Sequence, residues 1–134
     1  MNAAHLNAIW APRLLSVLRS VSALLFMAHG MQKLLGFPGS PTGVPATFTM
    51  PWIAGVLELV GGALLMVGLF TRPVAFVLSG MMASAYWIAH APRSAFPVLN
   101  GGDAAILFCF VFLYLAAAGG GPWSLDHLRN QHAR

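Results

Sequence analysis

Of 134 residues, 58% are hydrophobic and only 7% are charged, and the mean hydropathy is +0.75. Soluble domains carry roughly a quarter charged residues, so this chain cannot cover a water-facing surface with polar side chains and reads as an all-α integral membrane protein of one domain. The net charge is +4 with three acids, Glu58, Asp103 and Asp126, but the bases mostly flank apolar runs, so they read as topology signals and nucleic acid is not a partner.

Four apolar spans follow one another, and each approaches the ~20 residues that cross a hydrocarbon core. The first runs from about Leu14 to Leu35, with Arg19 near its start, and closes on the polar stretch Ala28-His29-Gly30-Met31-Gln32-Lys33. A proline-rich segment with Pro38, Pro41, Pro45 and Pro51 leads to the second span, about Trp52 to Phe70. Gly68-Leu69-Phe70-Thr71-Arg72-Pro73 predicts a tight turn in which glycine ends one helix and Thr71 caps the next. The third span covers about Val74 to Ala91, and the fourth about Ala104 to Gly119. Backbone groups in lipid must be satisfied internally, so the expectation is a four-helix transmembrane bundle, polytopic, at residues 14–35, 52–70, 74–91 and 104–119.

Four spans place both termini on one side, with Arg13, Arg19, Arg72, Arg129 and Arg134, against Lys33 and Arg93 on the other. The positive-inside rule then puts the termini and the Thr71-Arg72 turn in the cytoplasm. A cleaved signal peptide is the rival for the first span, but the apolar run continues into a polar turn and the bundle needs this helix. Cys109 stands alone in an apolar run, which excludes an internal disulfide and any two-cysteine redox motif.

With this topology, His29, Gln32, Lys33, Glu58, Tyr86, Trp87, His90, Asn100 and Asp103 all fall in the outer third, which makes them candidates for ligand binding or proton relay. Gln32 and Lys33 follow His29 at i+3 and i+4. Glu58 lies ~9 Å along its helix. Gly55, Gly61 and Gly62 line its face, so that face is expected to meet another helix, with Lys33 and His29 pairing to the carboxylate. The competing interpretation is that a buried Glu–Lys pair only fixes helix register. Each other residue alone reads as an interfacial histidine, a snorkelling lysine or a belt aromatic. No metal site is expected, because His29, Glu58 and His90 lie on three helices without an i, i+3 or i+4 ligand pair. Gly119-Gly120-Gly121 is a helix end and not a phosphate loop, since no strand precedes it.

The stretches "FMAHGMQKLLG" (Phe26 to Gly36), "AGVLELVGGALLMVGLFTRPVA" (Ala54 to Ala75) and "PVLNGGDAAILFCFVFLYLAAAGGGPWSLD" (Pro97 to Asp126) resemble the DoxX family of small bacterial membrane proteins. The resemblance covers nearly the whole chain after about Leu14. It implies a four-helix membrane fold and a link to membrane redox assemblies, because the family's namesakes are subunits of a thiosulfate:quinone oxidoreductase. More distant relatives include disulfide-forming quinone reductases, whose cysteine pair is missing here.

Two functions of different class follow. One is a redox-associated membrane subunit with a quinone or another small apolar ligand in the outer third and no other cofactor indicated. The other is a non-catalytic assembly or chaperone-like subunit, held to a membrane protein partner or a second copy through the small-residue faces at Gly55, Gly61, Gly62 and Gly80. No complete catalytic set is present, so enzymatic activity is left open.

Overall fold

The structure is a computed structural model and describes residues 2–133. Arg134, counted above among the cytoplasmic bases, lies outside the described residues. The described residues are helical with no strand.

Helix α1 runs from Ala3 to Leu35, α2 from Met50 to Val67, and α3 from Thr71 to Ala85, continuing as a π-helical turn over Tyr86–His90. A short α4 (Pro97–Asn100) precedes α5 (Asp103–Ala118), and α6 covers Leu125–His132. By length and composition, α1 and α2 are each able to cross a membrane, while α5 is apolar but shorter.

Two elements differ from the expectation. The first helix starts at Ala3, where the Asn2 side chain accepts a hydrogen bond from the His5 amide at 2.9 Å, and it passes through Pro12. Residues 3–13 are rich in alanine, which carries no side-chain entropy cost in a helix, but they are too polar to register as an apolar span. Helix α6 has an apolar edge at Leu125 and Leu128 among polar residues, and the Ser124 hydroxyl caps it by accepting from the His127 amide at 3.2 Å. It was not foreseen for the same reason.

The turn between α2 and α3 is tight, with Gly68 in the left-handed region (φ 70°) ending α2. Thr71 is not the cap. Phe70 occupies that position with φ 51°, and the cap arrives from the far end of the chain. Asp126 accepts the Phe70 amide at 2.9 Å and the Thr71 amide at 2.8 Å. Partial burial opposes its charge, but these two amides outweigh that and hold the carboxyl below the ordinary aspartate value.

Helix α1 lies along α2, α3 lies along α5, and α2 touches α3. The closest approach is made by glycine. A Cβ on Gly30 would sit 2.7 Å from the Leu59 amide nitrogen and 2.8 Å from the Gly55 carbonyl oxygen, so only hydrogen fits there. Gly61 receives Leu78, and Gly62 receives Met27. Gly80 is different: it is exposed with open space beside it. Phe26, Phe112, Leu65, Leu78 and Leu115 form the buried centre, with Phe26 edge-on to Phe112 at 4.9 Å between ring centroids. The outward faces are apolar too: Leu25, Phe76 and Phe110 are all more than half exposed, which suits a surface facing lipid.

Candidate functional site

The α1–α2 contact that Gly30 permits brings Lys33 and Glu58 together. Lys33 Nζ donates to Glu58 Oε1 at 2.6 Å, an ion pair between a partly exposed ammonium and a carboxylate only 2% exposed. The backbone reason is local. Gly30 and Lys33 are one turn apart on α1, and Gly55 and Glu58 are one turn apart on α2, so the glycines close the gap that the charged pair spans. The second carboxylate oxygen, Oε2, is buried without a hydrogen-bond partner. Buried polar atoms in folded proteins are almost always paired, so this one is a marked exception.

Glu58 and Lys33 form part of the wall of a cavity of about 480 Å³. His29 and His90 stand on the same wall, and Phe26, Met81, Met82, Ile88 and Phe108 make it mainly apolar. This volume is in the usual range for small-molecule sites of ~300–1,000 Å³. The π-helical turn shapes one side of it. The Ala91 amide bonds to the Tyr86 carbonyl at 2.9 Å, one residue further than in an α-helix, and the widened turn presents Ile88 and His90 to the cavity.

Each histidine is fixed by a backbone carbonyl. His29 Nδ1 lies 2.9 Å from the Leu25 carbonyl oxygen, and His90 Nδ1 lies 3.1 Å from that of Asn100. A carbonyl only accepts, so in the neutral ring Nδ1 carries the proton and Nε2 keeps a lone pair. His29 was expected to meet Glu58 directly or through a water, and it makes no direct bond to it. His29 spends its bonded nitrogen on its own helix and stands edge-on to Phe108, 6.0 Å between centroids.

The remaining candidates divide by what they touch. Asn100 is buried and serves the loop: its amide donates to the Ser94 carbonyl at 2.9 Å and to the Tyr86 hydroxyl at 3.3 Å, and its oxygen accepts the Gly102 amide at 2.8 Å. Tyr86 stacks on His90, so both residues hold the His90 ring in place from outside the cavity wall. Gln32 donates to the Gly39 carbonyl at 2.6 Å and so braces the proline-rich loop. Trp87 is 70% exposed, and Asp103 is exposed in the first turn of α5. Neither lines the cavity. The structure therefore brings together four of the nine, His29, Lys33, Glu58 and His90. No group of three or more metal-ligating side chains is assembled among the described residues.

One functional-looking residue was misread from the sequence. Arg19 is 1% exposed and is not a surface topology signal. Its guanidinium donates to the carbonyls of Leu65, Met66 (2.6 Å), Gly120 (2.9 Å) and Trp123 (2.7 Å). It thereby closes the open end of α2 and the loop before α6. The available signal was its depth: Arg19 lies five residues inside the apolar span that begins at about Leu14, deeper than a charge at a span end. Arg72 plays a similar part on the surface, donating to the last carbonyls of α5, those of Ala116, Ala117 and Ala118.

Comparison with known proteins places these residues in a wider set. The family model described as DoxX matches residues 14–91, which contain His29, Lys33, Glu58 and His90. An uncharacterized protein of Haemophilus influenzae is 43% identical over 123 residues, 88% of this chain and 92% of that protein. The inner membrane protein YphA of Escherichia coli is 29% identical over 126 residues, 86% of this chain and 89% of the relative. CatD of Bacillus subtilis, provisionally named an oxidoreductase, is 25% identical over 115 residues, 82% of each chain. No solved structure matches the chain.

Proposed function

The chain belongs to the DoxX family of membrane proteins, and from that premise we propose that it is a redox-associated inner-membrane subunit that holds a small apolar ring, a quinone, in the cavity beside Glu58. In this reading α1, α2, α3 with its π-helical turn, and α5 cross the membrane as a four-helix bundle with both ends of the chain in the cytoplasm. The cavity then opens in the periplasmic third. Arg13, Arg72 and Arg129 lie toward the cytoplasmic end and Lys33 and Arg93 toward the other. The positive-inside bias therefore keeps its sign after Arg19 is withdrawn from it.

The observation that carries the proposal is the Lys33–Glu58 pair on the wall of an apolar cavity flanked by two histidines. Quinone chemistry moves two protons with two electrons, and a carboxylate and imidazoles beside the ring are groups that exchange them. His29 and His90 would accept at Nε2 from the hydroxyls of the reduced ring, Glu58 would exchange protons, and Lys33 would pair with Glu58. The electron partner is a second membrane protein. The oxidoreductase name borne by the CatD relative is consistent with this role.

The assembly-subunit reading draws less support. Three of the glycines that suggested an outward docking face are used within the chain, against Lys33, Leu78 and Met27, and only Gly80 faces open space. The experiment is solvent extraction of protein purified in mild detergent, with the quinone content read by chromatography. Quinone should be recovered with the native protein and depleted in His29→Ala. Equal, trace recovery from both, with no change in melting temperature on adding quinone, rejects the proposal.

A further inference from the structure

The end of the molecule away from Glu58 carries a second hollow, a groove of about 670 Å³ bounded by α1, the α2–α3 turn, the glycine loop after α5, and α6. Leu15 and Phe70 give it an apolar wall, and Phe70 is half exposed. Arg72 and Arg129 line it with positive charge. Neither guanidinium is used up. Arg72 donates to the carbonyls of Ala116, Ala117 and Ala118, which leaves part of its five-donor fork free. Arg129 lies over the Phe70 ring, 5.1 Å from its centroid, and makes no hydrogen bond or ion pair among the described residues. The one acid of the groove, Asp126, is turned to the Phe70 and Thr71 amides. Unspent positive charge beside an apolar wall fits a ligand that is anionic at one end and apolar at the other.

Position selects among such ligands. Helix α2, long and apolar enough to cross a membrane, ends at Val67, and α5 ends at Ala118, so the groove lies where the apolar helices run out. Trp123 nearby is 61% exposed, and Leu125 and Leu128 form an exposed apolar edge on α6. Tryptophan, leucine and arginine exposed together at that depth are the composition of a headgroup boundary. A free phosphate would meet the guanidiniums but leave Leu15 and Phe70 in water, whereas a phospholipid covers both.

We propose that this groove binds an anionic phospholipid, with Arg129 and Arg72 donating to its headgroup phosphate and its acyl region against Phe70 and Leu15. A phosphocholine headgroup brings its own cation, which the two guanidiniums repel, so the groove discriminates against it. The site is separate from the cavity beside Glu58 and does not depend on what that cavity holds.

The test mixes protein in mild detergent with equal amounts of phosphatidylglycerol and phosphatidylcholine of the same acyl chains, at about pH 8, where histidine is neutral. Native mass spectrometry counts the bound lipids. Phosphatidylglycerol should be enriched at least about fivefold, the worth of one arginine at an anionic headgroup. In Arg129→Gln the ratio should fall toward one, whereas Arg13→Gln, which removes an exposed arginine outside the groove, should leave it unchanged. Equal binding of the two lipids to the native protein overturns the proposal. So does an enrichment that survives Arg129→Gln, or an equal fall in both variants, which would mean diffuse attraction by the whole basic end. Displacement of the lipid by glycerol 3-phosphate at the same concentration would give the site to a soluble phosphate and overturn the lipid assignment. Should Arg129→Gln not fold, the native enrichment and the Arg13→Gln control decide.

Discussion

Lys33 satisfies one oxygen of Glu58, and nothing among the described residues satisfies the other. That asymmetry makes the pair sensitive to the loss of its lysine. Removing the lysine strands a buried carboxylate, so Lys33→Ala should lower stability by about 1–3 kcal/mol; a fully buried pair would lose more, but Lys33 is about one-third exposed. Combining it with Glu58→Gln should recover part of that loss, since the uncompensated charge is gone. Reversible unfolding in detergent or bicelles measures the cycle, and strictly additive effects would show that the two groups do not interact. This pair was legible in the sequence because the depth of Glu58 and the helical spacing of His29 and Lys33 are local quantities. Arg19 was not, because two of its four carbonyl partners lie on the last turn of α2 and the other two come from a loop about a hundred residues later. Tyr86 and Trp87 were misplaced for another reason: they lie in a π-helical turn that presents Ile88 and His90 to the cavity instead.

Between elements, glycine governs how close α1 and α2 come. Gly30→Ala would force a methyl group against the backbone of Leu59 and Gly55. The helices must then separate, at a cost of about 1–3 kcal/mol typical of overpacking. The Lys33–Glu58 distance should lengthen with them. Gly80→Ala meets open space and should be neutral, which provides the control in the same unfolding measurement. The sequence pointed to Gly55, Gly61 and Gly62 through their spacing around Glu58. Gly30 was hidden because its neighbours drew attention as polar groups and its role depends on a partner helix. At the other end, Asp126 joins α6 to the start of α3. Its pKa is lower folded than unfolded, so its contribution is full above the ordinary aspartate value and is lost as pH falls through the folded value, below about pH 4. The protection of the α6 amides from hydrogen exchange, relative to the intrinsic rate at each pH, should fall over that range in the native protein, whereas in Asp126→Asn it should already be lower near neutrality and show no further acid step.

For the whole molecule, the division of labour is between two ends. One end is tied by Arg19, Arg72 and Asp126 to carbonyls and amides of other elements. The other holds a cavity with the Lys33–Glu58 pair in its wall. An all-helical chain with long apolar spans was legible from composition alone, because the chain lacks the charge to be anything else in water. The cavity was not, because it is formed where four segments diverge around a π-helical turn that no spacing rule announced. The central claim is that this cavity, and not the lipid-facing surface, takes up a quinone ring. Photolabelling with an azido-quinone in native membranes, followed by peptide mapping, tests it most directly. The label should concentrate on peptides carrying His29, Met81 to His90, and Phe108, and an excess of unlabelled quinone should displace it. Label spread over Leu25, Phe76 and Phe110 on the outer faces, undiminished by competitor, would contradict the account.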